Sequence, residues 1–177
     1  MQAVLTAPPN ASHQKADHRS GKYISFRLGS EEFAIQVLQV REIVGIQEIT
    51  AVPQTPHGVK GVINLRGKVI PVVDLRLRFG LEELEYSQRT CIIVVQIGGD
   101  GGRVLVGLIV DAVSEVLNLQ ASDIEDAPDF GPGVALPYLL GMAKIKGKVK
   151  ILLDIQAALA GGELAALSSQ EIAGLGF

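Results

Sequence analysis

Apolar residues concentrate in short segments of five to eight residues along the chain, most of them closed by glycine, proline or a small polar cluster, which is the pattern of strands rather than of helices. Residues 23–28 read as a first strand, turned over 29–32 as a hairpin and returned through 33–37. Val40, Ile43 and Val44 continue through a segment expected as a helical turn leading into a strand. Pro53 and Pro56 bracket a loop, because each removes a backbone donor and biases its predecessor to extended geometry, and His57 is expected to face solvent there. Two strands follow at 61–65 and 69–75, joined at Arg66-Gly67-Lys68, where Gly67 can supply the positive φ of a tight turn. Pro71 inside the second run argues for an edge strand or a bulge. A second series starts at 91–97, turns through the glycines of 98–102 and returns over 103–110. Asp74 and Asp154 each end a strand and precede a helical run, so both are expected as helix caps. Residues 155–159 form a short helix broken by Gly161-Gly162, with another turn or two expected over 163–170. Several strands are apolar on both alternating faces, as expected where two β-units meet over a common core.

The chain also repeats itself. Gly61, Gly67, Lys68, Val69 and Asp74 recur as Gly141, Gly147, Lys148, Val149 and Asp154 at an offset of 80, with Arg66 over Lys146. Phe33-Ala-Ile…Val40-Arg-Glu42-Ile43 lies over Val106-Gly-Leu…Val113-Ser-Glu115-Val116 at an offset of 73. Two copies are too few for a solenoid and fit a fused pair. Each copy alone would be a marginal unit, so a shared core is expected. The predicted organisation is a disordered tail over 1–21, a first β-subdomain over about 22–88, a second over 89–160 with boundary strands open to exchange, and a C-terminal helix or tail over 161–177.

Composition narrows the functions. A net charge of −3 lacks the basic face of a nucleic-acid binder, and the absence of Trp leaves few stacking platforms. The single cysteine, Cys91, excludes an intramolecular disulfide and sits in an apolar run as a small hydrophobe. The N-terminus lacks a basic start and a long apolar stretch, so a soluble intracellular protein is expected. His13 and His18 have a metal-like spacing without further ligands, and the acidic residues of 123–129 lack the alternation of a calcium loop and are expected as a solvated loop. The glycines of 98–102 link two strands and are followed by no Lys-Ser or Lys-Thr pair, so they are no phosphate loop. No nucleophile elbow or metal-binding helix motif appears; neither an enzyme nor a cofactor is expected.

Arg66 is the residue with chemistry to offer. A guanidinium at a strand end beside a turn glycine can reach across a groove and bind carboxylate or amide oxygens in a planar, bidentate way. It could equally form an intramolecular salt bridge with a carboxylate such as Glu42, and both hold if the pair lies on a groove rim. The copy, Lys146, is a compact point charge, so the two positions are not equivalent.

Gly61-Val-Ile-Asn-Leu-Arg-Gly67, followed by Val69-Ile-Pro-Val-Val-Asp-Leu-Arg76, closely resembles the central signature of the CheW family of bacterial chemotaxis coupling proteins. Residues 33–43 and 106–117 resemble the family as well, and the likeness extends over roughly 22–160. It implies a mainly β protein of two five-stranded SH3-like barrel subdomains around a shared core, with short helices and no catalytic activity. Family members couple the cytoplasmic tips of methyl-accepting chemoreceptors to the regulatory domain of the histidine kinase CheA, in the cytoplasm, within a membrane-associated array. The kinase's regulatory domain has the same fold, which would let adaptor and kinase pair through like-shaped subdomains. By the same resemblance Val40, Glu42, Gly61, Arg66 and Val116 are expected to form the receptor-binding groove. An adaptor for another chemosensory pathway, or a small-ligand-binding β-barrel regulator, is the alternative. The hairpin at 98–102 looks longer than the family's usual turn, which bears on partner choice.

Overall fold

The computed structural model describes residues 18–99, 102–133 and 136–159, so the expected C-terminal segment 161–177 and the expected tail up to residue 17 lie outside the described residues. The chain is mainly β. In order it forms β1 (Gly21–Leu28), β2 (Glu31–Gln36), a 3-10 turn (Val37–Gln39), β3 (Val40–Gly45), β4 (Val59–Leu65), β5 (Lys68–Asp74) and α1 (Leu75–Arg78). The second half gives β6 (Cys91–Gly99), β7 (Gly102–Val110), β8 (Ala112–Leu119), a 3-10 turn (Ala121–Asp123), β9 (Ile124–Glu125), β10 (Leu139–Ile145), β11 (Lys148–Leu153) and α2 (Ile155–Leu159).

The sheets cut across the repeats. One sheet runs β3-β6-β7-β5-β4 and the other β8-β1-β2-β11-β10-β9. Each is therefore the hairpin of one copy inserted among the strands of the other, sealed by a short parallel pairing: Val72–Asp74 beside Gly107–Ile109, and Ile151–Leu152 beside Phe33–Ala34. The division at 88/89 separates the repeats in sequence, but both sheets contain strands from each side of it. The two halves also share a core. Phe26, Leu28 and Ile35 of the first hairpin pack with Ile93, Val95 and Leu108 of the second, and with Leu75 and Ile155 from the two helices. Such a core forms only when both copies are present.

Paired details show the repeat at work. Asp74 caps α1 by accepting from the Arg76 N–H at 2.9 Å, and Asp154 caps α2 by accepting from the Ala157 N–H at 3.1 Å. Burial raises the Asp74 carboxyl, against the hydrogen bonds from the helix start. Register slips at Val59/Gly61 in one hairpin and at Leu139/Gly141 in the other. The reason is a crossing chain: Thr50 bridges Val62, and β9 pairs with Met142 and Ala143. A side chain at Gly61 would collide with the Thr50 carbonyl, and one at Gly141 would come within 2.9 Å of the Glu125 carbonyl.

Several expectations are corrected. Pro71 lies in a strand flanked on both sides in the sheet order, not on an edge strand; it is tolerated because β5 meets β7 only from Val72 onward, leaving that flank free at Pro71. The helical turn comes earlier, at Val37–Gln39, and Val40 already belongs to a strand. The described end of the expected tail is not loose: Arg19 is buried and donates to the Leu140 carbonyl at 3.0 Å, while meeting Asp126 at 2.9 Å. Within the acidic stretch Ile124 is buried, and Ile124–Glu125 forms β9.

Candidate functional site

The β4–β5 connection is a two-residue hairpin turn, with Leu65 paired to Lys68. Both turn residues are left-handed, Arg66 at φ 50° and Gly67 at φ 86°, the geometry that matches the twist of the flanking strands. Asn64 ties the turn by accepting from the Gly67 N–H at 2.8 Å through Oδ1. This unusual backbone for a non-glycine residue fixes where the Arg66 side chain leaves the sheet.

From there Arg66 grips Glu42 of β3. Nη1 donates to Glu42 Oε2 at 3.1 Å and Nη2 donates to Oε1, a two-pronged pair. Strands β3 and β4 are the two edges of their sheet, so the contact requires the sheet to curl until its edges approach. The hydrogen bond to the carboxylate, then its charge, pushes the already high guanidinium further up. Arg66 nevertheless remains 72% exposed at its side chain, with donors to spare. The intramolecular pair and a surface available to a partner coexist at this rim.

The other expected residues are distributed around it. Val40 opens β3 and is half-buried against the shared core. Gly61 is buried beneath Thr50, so it shapes the rim from below and presents no surface of its own. Val116 is 63% exposed, but it lies on β8 of the other sheet, paired with Ile24. The structure thus joins Glu42 and Arg66 directly, and no described contact links Val116 to them.

Sequence reasoning missed two features. Leu38 is 97% exposed on the 3-10 turn two residues before Val40, a bare apolar side chain. Its signal was a leucine in a polar context, Leu38-Gln39, that no core periodicity required. The second is Lys150, which is 3% exposed on β11. Its Nζ meets Glu115 Oε1 at 2.9 Å and Glu32 Oε2 at 3.0 Å. Burial acts to lower this amine, but hydrogen bonds to the two carboxylates and their charge outweigh it and raise it. Glu115 is correspondingly held low, first by the hydrogen bond from Lys150. The signal was a lysine aligned over Ile70, between the apolar residues Val149 and Ile151.

Nothing in the arrangement performs covalent chemistry. Burial pushes the Cys91 thiol up, away from thiolate reactivity. Among the described residues no group of three His, Cys, Asp or Glu could hold a metal ion, and no helix is long and apolar enough to cross a membrane. His57 is exposed, in a turn.

Residues 22–163 match the family model of the CheW-like domain. The chain is 39% identical over 144 residues to the chemotaxis protein CheW of Klebsiella aerogenes, which spans 81% of this chain and 84% of that protein. It is 38% identical over 134 residues to the chemotaxis protein CheW of Rhizobium meliloti, covering 76% of this chain and 84% of the relative. Among solved structures it is similar to the scaffolding protein TtCheW from Thermoanaerobacter tengcongensis, with a TM-score of 0.70 at 35% identity, over 81% of this chain and 95% of that one.

Proposed function

The chain belongs to the CheW family and is a non-enzymatic chemotaxis adaptor, and on that premise we propose that it couples the cytoplasmic tips of chemoreceptors to the regulatory domain of the histidine kinase CheA. The observation that carries the receptor half of this reading is the Glu42–Arg66 pair. A carboxylate holds a largely exposed guanidinium in one orientation, so less side-chain freedom is lost when a partner's carbonyl or carboxylate accepts its remaining N–H groups. Leu38 and Val116 offer exposed apolar surface, Val40 seats β3 on the shared core, and Gly61 lets the rim close. Receptor signals then reach the kinase through contacts that differ between receptor states, typically by 1–3 kcal/mol. The protein is expected to work in the cytoplasm at membrane-bound receptor arrays.

The test is co-sedimentation of receptor cytoplasmic fragments and kinase with this protein, reading kinase autophosphorylation in parallel. Arg66→Ala is expected to weaken receptor binding by about tenfold, the scale of a lost hydrogen bond to a charged group, and to leave kinase binding and thermal stability near the parent's. Equal receptor affinity for parent and variant overturns the site assignment. Failure of folded, active receptor and kinase to bind or respond overturns the coupling role.

A further inference from the structure

The repeat that relates the two halves also maps each proposed receptor-facing residue onto a counterpart. Val40 maps to Val113, Glu42 to Glu115, Gly61 to Gly141, Arg66 to Lys146, and Val116 to Ile43. Four of the five counterparts keep their chemistry, Lys146 keeps the charge of Arg66 without its planar fork, and the backbone keeps its shape. Glu115 sits at the register irregularity of edge strand β8 as Glu42 does on edge strand β3. Lys146 occupies the same left-handed turn position as Arg66, at φ 52°. By backbone and residue type the molecule therefore carries a second rim of the same design.

Beyond that change of cation, the two rims differ in what lies buried beside the carboxylate. Where the five-stranded sheet has Ile70, the six-stranded sheet has the buried Lys150, which takes Glu115 for itself together with Glu32. The counterpart of Glu32 is Leu105, so neither Ile70 nor Leu105 can compete for Glu42, which is left to orient Arg66. On the second rim Glu115 is paired with Lys150 instead, and Lys146 makes no ion pair among the described residues.

We propose that Lys150 is the residue that restricts receptor docking to one rim: by withholding Glu115 from Lys146 it keeps the duplicate site closed. The inference rests on the reading of the Glu42–Arg66 rim as the receptor site. A lysine on a flexible stem, with no carboxylate to aim it, loses more freedom on binding than a clamped guanidinium. Nor can an arriving partner recruit Glu115 cheaply, because that would strip a buried ammonium of a counter-ion. Lys146 holds the turn position from which Arg66 reaches Glu42 in the other sheet, so it is the cation placed to claim Glu115 once Lys150 is gone. A single receptor rim keeps one adaptor from cross-linking receptor bundles that it should present in a fixed geometry to the kinase.

The test is a transplant. Glu32→Leu, Lys146→Arg and Lys150→Ile copy Leu105, Arg66 and Ile70 into the six-stranded sheet. Receptor fragments are titrated against the full chain carrying Arg66→Ala, with and without these three substitutions. The expected result is a roughly tenfold loss of affinity in Arg66→Ala, recovery to within about twofold of the parent in the quadruple variant, and two receptor sites per chain when the three changes are made beside native Arg66. Loss of binding by Arg66→Ala with no recovery in a folded quadruple variant overturns the inference alone. Undiminished binding by Arg66→Ala overturns the rim assignment and the inference with it. If the quadruple variant does not fold, Lys150→Met in the Arg66→Ala background decides the matter: it keeps the stem's volume, releases Glu115 to Lys146, and should regain part of the binding. A folded Lys150→Met variant that regains none counts against the inference.

Discussion

The interiors of the two sheets share one backbone plan and differ in chemistry. Under the five-stranded sheet the cluster is aliphatic throughout: Ile63, Ile70, Val72, Ile92, Val94 and Ile109, with Leu105 against it. The equivalent positions under the six-stranded sheet include Lys150 for Ile70, Tyr23 for Ile92, Ser25 for Val94 and Glu32 for Leu105. Each polar group there has a partner. Tyr23 donates to the Arg19 carbonyl at 2.5 Å, Ser25 Oγ accepts from the Glu115 N–H at 3.2 Å, and Lys150 holds two carboxylates. Unpaired, each would carry a desolvation penalty of roughly 1–3 kcal/mol or more. The difference teaches how a duplicated fold becomes one-sided. An apolar interior makes no demand on the carboxylate at its rim and leaves Glu42 to the guanidinium, whereas a polar interior claims the equivalent carboxylate, Glu115, for its buried ammonium.

The largest effect expected from breaking this comparison is at the crossing glycines. Gly61→Ala drives a methyl group into the Thr50 carbonyl at φ 143°, and should cost about 3–5 kcal/mol in urea unfolding. Gly141→Ala should cost clearly less, since it has no positive φ and one of its near neighbours is the Arg19 guanidinium, 3.0 Å away and able to move. Equal losses would mean that the two crossings are mechanically alike.

Next comes the buried amine. Lys150→Ala leaves a void and two carboxylates without their cation, and should cost about 3 kcal/mol. Glu32→Leu with Lys150→Ile, which restores the aliphatic pairing of the other sheet, should recover most of that loss in the same denaturation assay. A double variant as unstable as Lys150→Ala would show that the polar interior is required by this sheet.

The pH dependence sharpens the point. The folded-state value of Glu115 is lowered, so its contribution is complete above the ordinary 4.5 and is lost as pH falls through the lowered value. Lys150 is raised, so its contribution is complete below the ordinary 10.5 and is lost as pH rises through the raised value. The stability of the parent relative to Glu32→Leu/Lys150→Ile should therefore be level between these limits and decline on both sides, as read from melting temperature against pH. A difference that never changes would remove the ion triad from the account. The smallest effect belongs to the turns: Asn64→Lys, copying Lys144, forfeits the bond to the Gly67 N–H and should cost about 0.5–1 kcal/mol.

Much of this was legible without coordinates. Glycines and prolines marked most of the turns, the repeated aspartates marked both helix caps, and the offsets of 80 and 73 marked a duplicated β-unit. Arg66 could be singled out because a guanidinium beside a turn glycine has few structural reasons to be there, and Glu42 was already named as its possible counter-ion. These are local facts, carried by backbone preference and spacing along the chain. Tertiary structure decided the rest. Residue spacing does not state which hairpin enters which sheet, since either copy's strands can complete the other's ladder; packing around the shared core selects the exchanged arrangement. For the same reason the sequence could not tell that Gly61 lies under Thr50, that Val116 stands on a different sheet from Arg66, or that Glu115 pairs with Lys150. Each depends on chain segments distant in sequence meeting in space, where burial and the need to pair a buried charge outweigh local preference.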